Sequence, residues 1–278
     1  MFKKKSLAAP YIAFILCGTL IPLLAVLYYA LTREVKLENG ETAIQFTLSN
    51  ITSIAEPVHL KALGLSLLLA FICTVICLLL AFPLGLMLRK SGRNKSFIIF
   101  MLILPMWMNF LLRTIAWKIL LQKNGFINML LGSLGLGKLD ILNTPTAVVL
   151  GLVYDFLPFM ILPIYNVMIK IDNSLVEAAY DLGATPFKVV KDVILPMSMP
   201  GIISGITMTF VPAMTTFAIS EILGGNKILL IGNVIELEFM QSGRKNVGSG
   251  LSMVMMVFIL ISMALLNKFD KNGEGTMV

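Results

Sequence analysis

Apolar residues in this chain fall into six long runs, each separated from the next by a polar segment. A bilayer core takes about twenty apolar residues per helix. On that measure the runs predict spans at about 10–31, 62–88, 97–121, 145–169, 199–222 and 247–267. The expectation is an all-α integral membrane fold, with residues 1–278 forming one transmembrane domain. Lys3, Lys4 and Lys5 precede the first run, but that run is a full span and no small-x-small cleavage site follows it, so it reads as a retained helix. Prolines interrupt three spans: Pro105 in the third, Pro158 and Pro163 in the fourth, and Pro212 in the fifth. Each removes a helical hydrogen bond, so kinks are expected there, with an outright break in the fourth span. Such kinks suit either bundle packing or the lining of a path.

Among the polar segments, Asn173 to Pro196 has the most internal order. It reads as two short helices joined at a glycine. Ser174 is placed to cap the first helix, with Glu177 three residues on reaching back to it. Leu175, Ala178, Ala179 and Leu182 then recur at i, i+3, i+4 and i+7, which makes one apolar stripe. Gly183 suits the positive φ of a helix C-terminal turn. Thr185-Pro186 restarts a helix with proline where a missing N–H costs nothing, and Pro196 marks its expected end. Residues 32–61 form another long polar stretch, expected to hold an amphipathic or short strand-like piece.

Composition supports the membrane reading. Apolar residues make up 58% of the chain and charged residues 13%, against about half and a quarter in soluble domains. The net charge of +7 is better read as Lys and Arg flanking the spans than as a nucleic-acid surface. Those flanks are richer around Lys3–Lys5, Arg89–Lys95 and Lys170–Lys191. This places both termini and the 173–196 loop in the cytoplasm, with residues 32–61 and 122–144 outside.

Several chemistries are excluded. Cys17, Cys73 and Cys77 lie within apolar runs and read as buried small side chains, with no disulfide framework or metal cluster. His59 is the only histidine, so the chain builds no histidine-based zinc site or serine–histidine triad. Gly132 to Leu139 nearly matches a phosphate-binding loop, but Leu139 stands where the magnesium-binding hydroxyl is needed. Asn50-Ile51-Thr52 fits a glycosylation sequon too short to carry weight. No catalytic residue and no cofactor are expected in this chain. If it performs energised transport, the energy comes from a partner.

Ionisable groups at bilayer depth are functional candidates, because each costs about 3 kcal/mol to insert. Arg113, Lys118, Asp155 and Glu221 lie at that depth. A carboxylate facing the bundle interior beside aromatic faces attracts a cationic solute, and Glu221, Asp155, Trp107, Tyr154 and Phe217 supply those groups. The alternative is internal pairing of Asp155 or Glu221 with Arg113.

The spacing in the loop is also that of a known family. Glu177-Ala178-Ala179, Gly183 and Leu195-Pro196 resemble the EAA loop of ABC-importer permeases, departing from its pattern only at Val193, where the family carries isoleucine. Pro105-Met106-Trp107-Met108-Asn109, Leu112-Arg113, Gly151 to Tyr154, Leu157 to Met160, and Leu223-Gly224-Gly225 through Leu229 to Ile235 narrow the resemblance to spermidine/putrescine permeases of the PotB type. The resemblance implies the six-span, MetI-like permease fold, with Glu177, Ala178, Ala179, Gly183, Ala184, Leu195 and Pro196 as the ATPase-coupling residues. The linear polycations such a family carries agree with the reading of Glu221, Trp107, Asn109, Tyr154, Asp155 and Phe217 as the solute path, with Asp155 the weaker case, and Arg113, which would repel a polycation unless paired, takes a structural role. The implied setting is a bacterial inner membrane. The implied partners are an ATPase dimer that binds ATP and magnesium, a second PotC-like permease and an external polyamine-binding protein. A permease for another solute, or a passive channel, stays open as an alternative.

Overall fold

The computed structural model describes residues 10–11, 13–36, 42–90, 95–240 and 243–274. Among the described residues five helices are long and apolar enough to cross a membrane: α1 Ala13–Ala30, α3 Pro57–Lys90, α7 Pro145–Met168, α9 Pro186–Thr215 and, over its Lys245–Leu266 part, α12 Lys245–Glu274. A bent pair, Phe97–Trp107 with α5 Phe110–Leu120, makes a sixth crossing if it is counted as one span. The shorter elements are the strands β1 Thr32–Lys36 and β2 Thr42–Phe46, and the helices α2 Ser49–Thr52, α4 Lys95–Ile103, α6 Phe126–Ser133, α8 Asn173–Asp181, α10 Ala218–Gly224 and α11 Ile231–Met240. The chain divides into two compact units, drawn from Met1–Lys61 with Val234–Leu260 and from Ala62–Asn233 with Ile261–Val278.

In the first unit the expected strand-like piece is an antiparallel hairpin in which Thr32 pairs with Phe46 and Glu34 with Ile44. Where the chain leaves α1 its carbonyls lose helical partners, and two asparagines replace them. Asn50 Nδ2 donates to the carbonyls of Tyr29, Ala30 and Thr32, and Asn246 Nδ2 to those of Tyr29 and Thr32. Gly250 lies so close that any Cβ there would collide with the Asn50 carbonyl. Asn50 is therefore a buried structural amide, and the sequon it begins is inaccessible. His59 is also buried, with Nδ1 2.7 Å from the Ser53 carbonyl oxygen.

The second unit is built on α7 packed along α9. Close approach there depends on small residues. A Cβ on Gly201 would lie 2.8 Å from the Pro163 carbonyl oxygen, and one on Gly205 2.8 Å from Met160 Sδ. Three boundaries differ from the sequence reading. Pro158 and Pro163 leave α7 a single helix of 24 residues instead of breaking it. The third span does break, but at Met108–Asn109 rather than at Pro105, and it bends there by 96°. Pro105 fits the first turn of a short 3₁₀ segment, Leu104–Trp107, where its missing N–H is tolerated. Asn109 then caps α5, accepting from the Leu111 and Leu112 N–H groups at 2.9 and 3.4 Å. The fifth span stops at Thr215, where Thr216 turns extended, and Glu221 rides on the separate helix α10.

A leucine at Gly201 forces α7 and α9 apart. We expect a loss of about 1–3 kcal/mol, as for overpacked cores. Gly201→Leu should lower the melting temperature of the purified protein in detergent, whereas Gly64→Leu, with open space around its Cβ position, should leave it nearly unchanged.

Candidate functional site

The first candidate site is the elbow between α8 and α9. Its cap differs from the sequence reading, because Asp172 rather than Ser174 supplies it, with its carboxylate accepting from the Ser174 N–H at 3.0 Å. That N–H holds the Asp172 carboxyl below the usual carboxylate range. A lowered carboxyl contributes stability above its usual pKa and loses it only as pH falls through the lowered value. The cap is therefore intact at neutral pH. Glu177, released from capping, is exposed.

The far end of α8 closes as the sequence leads one to expect. Gly183 has φ +80°, its N–H donates to the Tyr180 carbonyl at 2.8 Å, and the Ala184 N–H donates to the Ala179 carbonyl at 3.0 Å. This 5→2 and 6→1 pair is a Schellman turn, which a residue with a Cβ closes only at a cost. Thr185 Oγ1 then accepts from the Lys188 N–H at 3.4 Å and Pro186 starts α9. Pro196 does not end that helix. A π turn at Val190–Ile194, in which the Leu195 N–H donates to the Val190 carbonyl, precedes the proline and the helix continues to Thr215. Leu195 and Pro196 thus belong to the span, apart from Glu177, Ala178 and Ala179 on α8.

No residue of α8 is buried. Its apolar stripe faces outward, with Leu175 46% and Leu182 88% exposed. A short helix, capped at both ends and apolar on an open side, is a ready-made docking element.

The second candidate site is a cavity of about 450 Å³ walled mainly by Met106, Met108, Phe110, Phe156 and Phe159, with Arg113 and Asp155 as its charged groups. Arg113 Nε lies 2.5 Å from Asp155 Oδ1, and both residues are buried, at 8% and 4% exposure. Thr114 Oγ1 approaches the second carboxylate oxygen at 3.4 Å. Arg113 Nη1 donates to the Pro105 carbonyl at 2.7 Å, just before the break in the third span. Its guanidinium also lies 5.7 Å from the centre of the Tyr154 ring, which meets Trp117 edge-on at 5.3 Å. Of the two pairings left open by the sequence, the structure has the one with Asp155.

The other candidate path residues are dispersed. Trp107 is 76% exposed and meets Phe100 edge-on at 5.9 Å. Asn109 is committed to its cap. Phe217 precedes α10 and Glu221 is exposed on it, and among the described residues Glu221 pairs with no cation. The helix α10 itself packs on α5 and α7.

Sequence reasoning gave no role to Ser220 and met Asn233 only as part of the Leu229–Ile235 stretch of the family resemblance. Asn233 Oδ1 accepts from Ser220 Oγ at 2.5 Å and from the Leu230 N–H at 3.1 Å, while its Nδ2 donates to the Phe217 carbonyl at 3.1 Å. Ser66 Oγ accepts the Ile231 N–H at 2.8 Å. The available signal was that quoted stretch, in which Gly232-Asn233 interrupts an apolar run; Gly232 leaves no room for a Cβ, which would sit 2.7 Å from the Thr215 carbonyl oxygen.

Comparison with known proteins matches residues 76–272 to the family of binding-protein-dependent transport system inner membrane components. The spermidine/putrescine transport system permease protein PotB of Haemophilus influenzae is 39% identical over 94% of this chain and 91% of its own length. Its namesake in Escherichia coli K12 is 42% identical over 70% of this chain and 72% of its own. Among solved structures, a bacterial ABC transporter involved in the import of the acidic polysaccharide alginate superposes with a TM-score of 0.79 at 15% identity, covering 99% of this chain and 96% of that one. That likeness establishes the fold.

Removing one partner of the buried pair strands the other charge, at a cost of about 3–5 kcal/mol. Arg113→Gln should therefore depress the melting temperature strongly, and the double variant Arg113→Gln/Asp155→Asn should recover at least half of the loss. Differential scanning of the detergent-solubilised protein measures both.

Proposed function

The chain belongs to the binding-protein-dependent transport system inner membrane components as a PotB-type permease subunit of an ABC importer, and we propose that its cargo is a linear polyamine such as spermidine or putrescine. The ATP is hydrolysed elsewhere, on a separate ATPase subunit that also holds the magnesium. In our reading a second, PotC-like permease completes the pathway and an external binding protein delivers the cation. Both termini and the α8–α9 elbow lie in the cytoplasm, in keeping with the denser Lys and Arg on that side.

One observation carries the coupling role: α8 buries none of its residues and turns Leu175 and Leu182 outward. Docked in a groove of the ATPase, this helix recovers the apolar burial it lacks alone. The Schellman turn at Gly183 joins it stiffly to α9, so a pull on α8 is delivered to the span. The Glu177-Ala178-Ala179 face makes the contact, while Leu195 and Pro196 transmit it from within α9.

For the path, Glu221 is the carboxylate on offer, because Asp155 is already neutralised by Arg113. A polycation passes Glu221 and the Phe217, Trp107 and Tyr154 faces, which contribute cation–π attraction. Asn109 keeps the bend in the third span open beside it. Asp155 contributes through the neutral pair, which keeps Arg113 from repelling the cation.

Two measurements test this. A cysteine at Ala179 should cross-link to the ATPase subunit of the assembled transporter, and absence of a cross-link at every exposed α8 position would remove the docking role. Glu221→Gln should reduce uptake of radiolabelled spermidine by at least about threefold while the complex still assembles; unchanged uptake takes Glu221 out of the path.

A further inference from the structure

A separate cavity of about 310 Å³ lies where the last turn of α3 meets α8 and the start of α9, outside the path described above. Its lining includes Met87, Arg89 and Lys90 from α3, Val176 and Tyr180 from α8, and Ile194 from α9. The charged groups are all of one sign: among the described residues no carboxylate lines this cavity.

Arg89 is half-buried and held in place. Its Nη2 donates to the Ile171 carbonyl at 3.2 Å and to Asn173 Oδ1 at 2.9 Å. Both acceptors are neutral, and among the described residues no carboxylate pairs with Arg89 or Lys90. A guanidinium carries five N–H donors. Both bonds use Nη2, so the donors on Nη1 and Nε have no protein partner among the described residues. A positive charge drawn partly out of water with no paired carboxylate among the described residues is costly, and an anion in the cavity would relieve that cost. The planar fork of a fixed arginine matches the oxygens of a phosphate.

The remaining walls decide the source of that phosphate. They are mostly aliphatic and lie at the end of a 34-residue apolar helix, the depth at which lipid headgroups sit. A hydrated free anion gains nothing from such walls, whereas the glycerol and first methylenes of a lipid do. We propose that this cavity binds the phosphodiester headgroup of an anionic phospholipid, with Arg89 gripping the phosphate and Lys90 adding a second charge. Because Arg89 also holds Asn173, the first residue of α8, the lipid is tied through one side chain to the helix that docks the ATPase.

The test uses the assembled transporter, extracted from nanodiscs containing both phosphatidylglycerol and phosphatidylethanolamine, with retained lipid counted by native mass spectrometry. The wild type should retain phosphatidylglycerol with about a fivefold or greater preference. Lys90→Gln, which leaves the Arg89–Asn173 contact intact, should weaken that preference, and Arg89→Gln/Lys90→Gln should abolish it. Equal retention by wild type and both variants overturns the proposal. So does full displacement of the lipid by millimolar inorganic phosphate, which would assign the site to a free anion, and so does a preference seen in the isolated permease but absent once the ATPase is bound. The readout is bound lipid, so a failure of the polyamine reading leaves the result unaffected.

Discussion

Every backbone N–H and C=O in this protein needs a partner, although most of the chain is too apolar to offer water as one, and that constraint explains where its buried polar side chains sit. They gather at the places where a helix is interrupted. Asn50 and Asn246 take the carbonyls exposed where the chain leaves α1. Asn109 caps α5 after the 96° bend, and Arg113 reaches back to the Pro105 carbonyl on the other side of it. Asn233 serves the Phe217 carbonyl at the break before α10 and is itself held by the Ser220 hydroxyl. The Arg113–Asp155 pair follows from the same rule, because an arginine recruited to satisfy a carbonyl at that depth needs a counter-charge of its own.

The same constraint divides the molecule's functional surfaces. Inside the membrane, polar groups are spent on the backbone and on each other, leaving Glu221 as a carboxylate free of a cationic partner among the described residues. On α8 the apolar groups are the ones without partners. The proposed cation path and the proposed docking helix are thus opposite exceptions to one pattern, the first an unpaired charge and the second an uncovered stripe.

Features set by neighbours in sequence were legible before the structure. Gly183 as the closing turn, Thr185-Pro186 as the restart of α9, and α7 at 145–168 all depend on a few adjacent residues. Competition between near-equivalent local choices was harder to read. Asp172 outcompeted Ser174 as the cap from two positions upstream, and a π turn let the helix run through Pro196. Proline predicted the bend in the third span but not its position, because a 3₁₀ turn accommodates Pro105 and the capping side chain of Asn109 fixes where the next helix begins. Contacts across long sequence separation were the least legible. Arg113 with Asp155 was one of two pairings the sequence allowed, and Asn233, met only within the stretch that carries the family resemblance, gave no sign of its bonds to Ser220 and Phe217.

The central claim is that this permease works as the membrane half of an ATP-driven polycation importer. The most direct measurement is uptake by proteoliposomes containing the assembled transporter, its binding protein and enclosed ATP. The account predicts accumulation of labelled spermidine that requires ATP hydrolysis, is competed by putrescine, and is indifferent to anionic or neutral solutes. Accumulation confined to an anionic or neutral solute, or spermidine flux that persists without the ATPase, would contradict it.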